Sequence, residues 1–143
     1  MRDEAGHRGP GAIVPPQEAR RLQAPDHGGA AALAGHPGVD ETAIAVVGSS
    51  YGGYLAAILT TERPVRWLGL RVPALYRDAD WQTPKRKLDR DDLATYRSGP
   101  VASTGNRALA ACSQFRGDVL LVESEHDDLI PHQTILSYRA AFA

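Results

Sequence analysis

The chain has 143 residues, of which 43% are hydrophobic and 23% are charged, and its formal net charge is -1 at pH 7. This size and composition are typical of one globular domain with room for one core, and the interspersed acidic and basic residues form no basic face of the kind that binds nucleic acid. The single cysteine, Cys112, excludes an internal disulfide and a CxxC zinc pair, which favours a reducing compartment.

The first 25 residues are rich in glycine, proline and arginine and show neither helical nor strand periodicity, which predicts a poorly ordered leader. The stretch MRDEAGHRGPGAIVPP mixes both charge signs and never builds the apolar run that a signal peptide needs. Apolar runs elsewhere are far shorter than a membrane span. We therefore expect a cytoplasmic protein with no membrane partner.

Residues 26–143 alternate between strand and helix patterns. In chain order the predicted elements are a helix at 28–34, a strand at 43–48, a helix at 54–62, a strand at 66–72, a helix at 107–115, a strand at 118–124 and a helix from 131 to the last residue. The strand runs AIAVVG and DVLLVES are continuously apolar, as in strands covered on both faces. Such alternation predicts the α/β class, with a parallel sheet and helices on both faces.

Residues 73–106 interrupt this alternation and are called the cap segment below. Their charges alternate around a few large apolar anchors, which predicts an insertion over the sheet. Three of the anchors, Leu75, Tyr76 and Trp81, either line an acyl pocket or attach the segment to the sheet. The carboxylates of the segment are interleaved with arginine and lysine, as on a solvated face, and therefore suggest no metal site. They belong to Asp78, Asp80, Asp89, Asp91 and Asp92.

The stretch GSSYG joins the first predicted strand to a helix, and Gly48, Ser50 and Gly52 fit the pattern G-x-S-x-G. In this pattern a sharp strand-to-helix turn lifts the serine hydroxyl clear of the sheet. Because the turn is tight, we expect side chains two residues before and two after the serine to collide with the adjacent strand and helix. Glycine would then be required at both positions, and Gly53 would give the helix further freedom to approach.

Ser50 in this turn is a candidate nucleophile that would attack a carbonyl carbon. The backbone N–H of Tyr51, at a helix N-terminus, would stabilise the negative charge that develops on the oxygen. Ser49 cannot replace Ser50, because its side chain points elsewhere. The alternative is a Gly-Ser turn that carries no chemistry; a phosphate site is disfavoured, since GSSYGG lacks both the P-loop lysine and the dinucleotide spacing.

The stretch VESEHDDLIP, residues 122–131, places two aspartates between a buried strand and a helix. Together with GSSYGGY and the preceding ALAGHPGVDETAIAVVG, it resembles the α/β-hydrolase superfamily, in particular its prolyl oligopeptidase and dienelactone-hydrolase-like branches, over about residues 30–143. The resemblance implies that the acid of the catalytic triad lies in a turn of the form small-x-x-D-x-x-apolar-Pro, which residues 124–131 match. It therefore implies Asp127, with Asp128 as the nearest alternative; either carboxylate could instead cap the last helix.

The histidine of the family triad would follow one more helix and strand, but the sequence ends within that helix. His126 and His132 lie too close to Asp127 in sequence to be placed like that base, and His36 and His27 precede the nucleophile. The stretch HGG, 27–29, is likewise too close to the nucleophile strand to supply an oxyanion loop. We therefore expect a fragment with impaired chemistry, because serine is a weak nucleophile without a base.

Taken together, the resemblance implies a serine hydrolase that cleaves an ester, thioester or amide bond through an acyl-enzyme, with no cofactor. Its substrate would be a small-molecule ester, a thioester or a short peptide. The alternative is a non-catalytic α/β interaction module or an inactive fragment. Three parallel strands cut from a larger sheet would also leave two open edges and an uncovered apolar face, which predicts self-association.

Overall fold

The computed structural model describes residues 27–143. In chain order its helices and strands are α1 (His27–Ala34), β1 (Ala45–Ser49), α2 (Tyr51–Leu59), β2 (Trp67–Arg71), α3 (Arg90–Ser98), α4 (Arg107–Gln114), β3 (Asp118–Val122) and α5 (His132–Ala141). Short 3-10 turns lie at Asp78–Asp80, Lys85–Lys87 and Ser103–Gly105. The predicted leader at 1–25 lies outside the described residues.

The strands form a parallel sheet in the order β1-β2-β3. In its central row Val47 pairs with Gly69, and Gly69 with Leu120. Helix α2 connects β1 to β2 and packs on both strands, and α4 packs against α2. This arrangement confirms the predicted α/β class and is consistent with a partial α/β-hydrolase fold.

One face of the sheet is covered and the other is bare among the described residues. Leu68 and Leu70 point into the helical layer and are only 1% exposed, whereas Val47 and Leu120 on the opposite face are 81% and 65% exposed. The sequence expectation of helices on both faces is therefore not met in this part of the chain. The cause is the strand order: right-handed crossovers that step in one direction across a sheet place their helices on the same face.

The core lies between the sheet and the helical layer. Ala57 of α2, Leu109 of α4 and Tyr138 of α5 are fully buried there, next to Leu68 of the central strand. Helix α5 contacts α4 and α3, so it closes the layer on the side of the cap segment. The carboxyl ends of all three strands are left at one edge, where the loops that follow them meet.

Helix α2 begins three residues earlier than the sequence pattern predicts, at Tyr51. The reason is that Ser50 ends the strand hydrogen bonding and caps the helix at the same time, so no linking residues are needed. The helix also ends before Pro64. The hydroxyls of Thr60 and Thr61 donate to carbonyls of the last turn, which closes the helix there.

The cap segment has more structure than its charge pattern indicates. Helix α3 starts where the Asp89 carboxylate accepts hydrogen bonds from the backbone N–H groups of Asp91 and Asp92. Arg77 pairs with Asp92 at 2.8 Å and lies over the ring of Tyr96. Within the cap segment, one surface ion pair thus joins the loop at Arg77 to helix α3.

Candidate active site at the carboxyl edge of the sheet

Ser50 sits in a sharply bent backbone between β1 and α2. Its φ and ψ angles are 52° and -118°, a backbone conformation that residues other than glycine rarely adopt. The bend is held from both sides: the Ser50 N–H donates to the carbonyl of Arg71 at 3.0 Å, and the Ser50 carbonyl accepts from Gly53, Tyr54 and Ala74. Strand β2 and the residues after it therefore fix the turn that the sequence pattern predicts.

The glycines of this turn do not share one role. A Cβ atom at Gly48 would overlap the carbonyl oxygen of Gly52 and lie 2.7 Å from the nitrogen of Gly53, so residue 48 must lack a side chain. A Cβ at Gly52 would meet no described atom within 4 Å. The expected steric need for glycine at 52 is therefore wrong, and the second tight position is Gly53, whose Cβ would lie 2.9 Å from Pro73.

The reason for this difference is the early start of the helix. Since α2 begins at Tyr51, residue 52 points outward from its first turn, and residue 53 faces the loop after β2. The sequence pattern identifies glycine at positions 48 and 52 but does not say which neighbour each of them meets.

The Ser50 side chain is available for chemistry. The residue is exposed, its hydroxyl makes no cap hydrogen bond to α2, and it has no hydrogen-bond partner among the residues that the structure describes. Tyr51 follows as the first residue of the helix, where a backbone N–H has no partner inside the helix. Ser49 differs: its hydroxyl accepts from Arg71 at 3.3 Å, and the residue belongs to the bare face of the sheet.

Ser50 lines a cavity of about 350 Å³ between the cap segment and the turn after β3. Asp128 and Leu129 line it from the turn, while Tyr76 and Lys85 line it from the cap segment. A cleft of about 530 Å³ lies at the other end of the sheet, where the loops enter β2 and β3. We place the candidate site at the smaller cavity, because ligands of open parallel sheets bind at the carboxyl ends of the strands. No carboxylate of the described residues lines the larger cleft, and its two hydroxyls, of Thr60 and Thr61, donate to helix carbonyls.

The turn after β3 carries the two candidate acids in different settings. Asp127 is half-buried, and its Oδ1 accepts from the backbone N–H groups of Leu129 and Ile130 at 2.9 and 2.8 Å. Its carboxylate thus closes this turn, which precedes α5. Asp128 is exposed and shares the Ser50 cavity, whereas Asp127 does not line it.

No histidine among the described residues contacts Ser50. His36 accepts a backbone N–H at its Nδ1 in the turn after α1. His126 is exposed, with its Nε2 3.9 Å from a neighbouring carboxylate, and His132 Nδ1 lies 2.7 Å from Glu123 Oε1. Each of these side chains therefore has a local role in a turn or at the surface; the side chain of His27 lies outside what the structure describes.

Aromatic rings cover the helical side of the nucleophile. Tyr51, Tyr54 and Tyr76 are mutually in ring contact, and Trp81 lies 6.4 Å from Tyr54. Burial raises the pKa of Tyr54 well above its usual value, so its hydroxyl stays protonated. Of the three predicted anchors, Leu75 is buried, Tyr76 lines the Ser50 cavity, and Trp81 lines a small adjoining pocket.

Arg97 is a structural residue of the site that the sequence analysis missed. It is buried, its Nε and Nη1 donate to the carbonyls of Leu75 and Leu129 at 3.0 and 3.2 Å, and its guanidinium lies over the ring of Tyr76. One side chain thus joins the cap segment to the acid turn. The only available signal was its position four residues after Leu93 on an otherwise polar helix, which places it on the apolar face.

Within residues 27–143 no group of three or more histidine, cysteine, aspartate or glutamate side chains is placed to bind a metal ion. The same part of the chain contains no helix whose length and apolar character would allow it to cross a bilayer.

Comparison with known proteins gives one family. The model of the prolyl oligopeptidase family matches residues 27–143, which include the Ser50 turn, the cap segment and the acid turn. No curated protein matches the chain.

Proposed function

The chain belongs to the prolyl oligopeptidase family, whose members are serine hydrolases, and we propose that Ser50 is its nucleophile in the cleavage of an ester, thioester or amide bond through an acyl-enzyme. The observation that carries this proposal is the bent backbone of Ser50, which presents an unpaired hydroxyl to a cavity at the carboxyl edge of a parallel sheet. The neighbouring hydroxyl of Ser49 is not placed in this way, because it lies on the other face of the sheet and accepts from Arg71.

In the proposed mechanism Ser50 Oγ attacks the carbonyl carbon of the substrate. The oxygen of the tetrahedral intermediate gains negative charge next to the backbone N–H of Tyr51, at the N-terminal end of α2. The proton of the Ser50 hydroxyl passes through a general base to the leaving alcohol, thiol or amine, whose expulsion leaves the acyl group on Ser50. Water then attacks the acyl-enzyme, returns a proton to Ser50 through the base and releases the acyl group as a carboxylic acid. The bend costs on the order of 1 to 3 kcal/mol, and the hydrogen bonds to Arg71 and Ala74 hold it in place.

We propose Asp127 as the acid that would orient a general base. Its Oδ1 is held by two backbone N–H groups, and within the described residues its Oδ2 has no hydrogen-bond partner and could accept from an imidazole. Asp128 remains the alternative, because it shares the cavity with Ser50. None of the described histidines is placed to be that base, so we expect slow chemistry from this chain alone.

Labelling of the chain by a fluorophosphonate tests the nucleophile. We expect slow modification that mass spectrometry maps to Ser50, that Ser50→Ala abolishes and that Ser49→Ala leaves unchanged. Added imidazole should increase the rate in the unsubstituted chain, because it supplies to the solvent-exposed hydroxyl a base that none of the described histidines provides. Labelling that persists in Ser50→Ala, or that is absent even with imidazole, would contradict the proposal.

A non-catalytic interaction module is the second candidate, and the bare sheet face favours it. Val47 and Leu120 are exposed in the central row of this face, and Val122 lies beside them on β3. We propose that two copies of the chain associate through this face or through the open strand edges. Sedimentation velocity should show association that depends on concentration and weakens in Leu120→Lys, but not in Gln82→Lys, which adds the same charge to the cap segment.

A further inference from the structure

The cavity in front of Ser50 has an excess of positive charge. Lys85, Arg90 and Arg97 line it, against one carboxylate, that of Asp128. The remaining lining is mostly apolar, from Leu88, Leu93, Ala94, Leu129 and Ile130. A cavity of this kind favours a ligand with an apolar stretch and a negative charge.

Lys85 is the cation best placed to bind such a charge. Its Nζ lies 4.1 Å from the ring centroid of Tyr51 and 5.5 Å from that of Tyr76. The rings hold the ammonium beside the residue that follows Ser50. Within the described residues its N–H groups have no hydrogen-bond or ion-pair partner, so all three remain able to donate.

The other two cations, Arg97 and Arg90, differ in whether their guanidinium groups already have partners in the chain. Arg97 donates two hydrogen bonds to backbone carbonyls and is buried, so it contributes mainly its charge. Arg90 is exposed at the start of α3 and has no ion pair among the described residues. The nearby carboxylate of Asp92 is already paired with Arg77. Neither Lys85 nor Arg90 forms an ion pair with a described residue, so both charges remain available to an anion in the cavity.

We propose that the cavity selects substrates whose acyl part carries a carboxylate a few carbons from the scissile carbonyl, and that Lys85 binds this carboxylate. The inference rests on the proposed function, since Ser50 defines which carbonyl is scissile. It deepens that function by giving the substrate class: acidic esters or peptides with an acidic residue on the acyl side. The apolar side of the cavity accommodates the intervening methylene groups.

Binding of two isosteric ligand pairs tests the inference without any need for turnover. The first pair is monoethyl glutarate and its uncharged amide, ethyl 4-carbamoylbutanoate. The second is the methyl esters of N-acetylglutamate and N-acetylglutamine, which represent a peptide. Affinities are measured on the whole chain by chemical-shift titration at low and at moderate salt. We expect the anion to bind about fivefold more tightly than its amide in at least one pair, and this preference to shrink with salt.

Substitutions then identify which positive charge causes the preference for the anion. Lys85→Gln should reduce the affinity for the anion to that for the amide, and Lys85→Arg should retain the preference. Lys87→Gln is the matched control, because Lys87 belongs to the same 3-10 turn but does not line the cavity. Equal affinity for anion and amide in both pairs, no binding of any of the four esters, or an equal loss in Lys87→Gln would overturn the inference.

The two proposals fail separately in this design. Ser50→Ala should leave the preference for the anion unchanged, because the hydroxyl does not contact the carboxylate. If fluorophosphonate labelling fails but the anion preference is present, the nucleophile is wrong and the anion site stands. If labelling maps to Ser50 but the preference is absent, the hydrolase proposal stands and the substrate class is wrong.

Discussion

Replacement of Gly48 by alanine tests whether the tight turn at the nucleophile depends on this glycine. The added Cβ would overlap the carbonyl oxygen of Gly52 and lie 2.7 Å from the nitrogen of Gly53, whereas ordinary contacts begin near 3.4 Å. The first turn of α2 would therefore have to withdraw by at least about 0.7 Å from β1. Both crowded atoms belong to the backbone, so no side-chain rotation can relieve the overlap.

The expected loss of stability is large. Overpacking in a well-packed region costs about 1 to 3 kcal/mol and occasionally more, and we expect Gly48→Ala at the upper end of this range. Gly52→Ala is the matched control: its Cβ meets no described atom, and alanine is favoured over glycine in a helix by about 0.5 to 1 kcal/mol. The two variants of the same motif should thus differ by more than about 3 kcal/mol.

Urea unfolding followed by far-UV circular dichroism measures this difference. The free energy of unfolding of Gly53→Ala should lie between those of the other two variants. Its Cβ would press on the ring of Pro73 at 2.9 Å, and the loop after β2 that contains Pro73 can shift a little. If Gly48→Ala does not fold, a lower free energy of unfolding for Gly53→Ala than for Gly52→Ala still tests which glycines of the turn are sterically required. A free energy of unfolding of Gly48→Ala within about 1 kcal/mol of that of Gly52→Ala, or a lower one for Gly52→Ala, would refute the steric role of Gly48.

Two further predictions concern buried groups behind the site. Tyr138→Phe should lower the free energy of unfolding by about 1 to 3 kcal/mol, because it leaves the buried carbonyl of Ala74, which accepts the Tyr138 hydroxyl at 2.9 Å, without its partner; an unchanged urea midpoint would contradict this. Stability should fall as the pH rises from about 9 towards 12. Burial raises the pKa of Cys112 to about 12 and that of Tyr138 well above its usual value, so the unfolded chain releases these protons at a lower pH than the folded chain does. Urea unfolding at pH 7.5 and pH 10 checks the sign, Cys112→Ala should reduce the slope, and equal or greater stability at pH 10 would contradict the prediction.

The sequence by itself determined the local features of this protein. Residue types within a few positions of one another signal the strand and helix patterns, the bent turn at Ser50 and the turn at Asp127, so their spacing along the chain was enough to predict them, although distant residues hold the Ser50 turn in place. The family followed from the same short stretches. Even the exchange of roles between Gly52 and Gly53 is a shift of one residue along the chain, which follows from the early start of α2.

Only the tertiary structure decided which distant residues meet. Lys85 lies over the ring of Tyr51, 34 positions earlier in the sequence, and Arg97 bonds to the carbonyls of Leu75 and Leu129. No local pattern specifies such contacts, because they depend on how the cap segment folds back over the sheet. The bare face arises in the same way: the apolar strand runs are compatible with cover on both sides, and the order in which the crossovers step across the sheet decides which side receives helices.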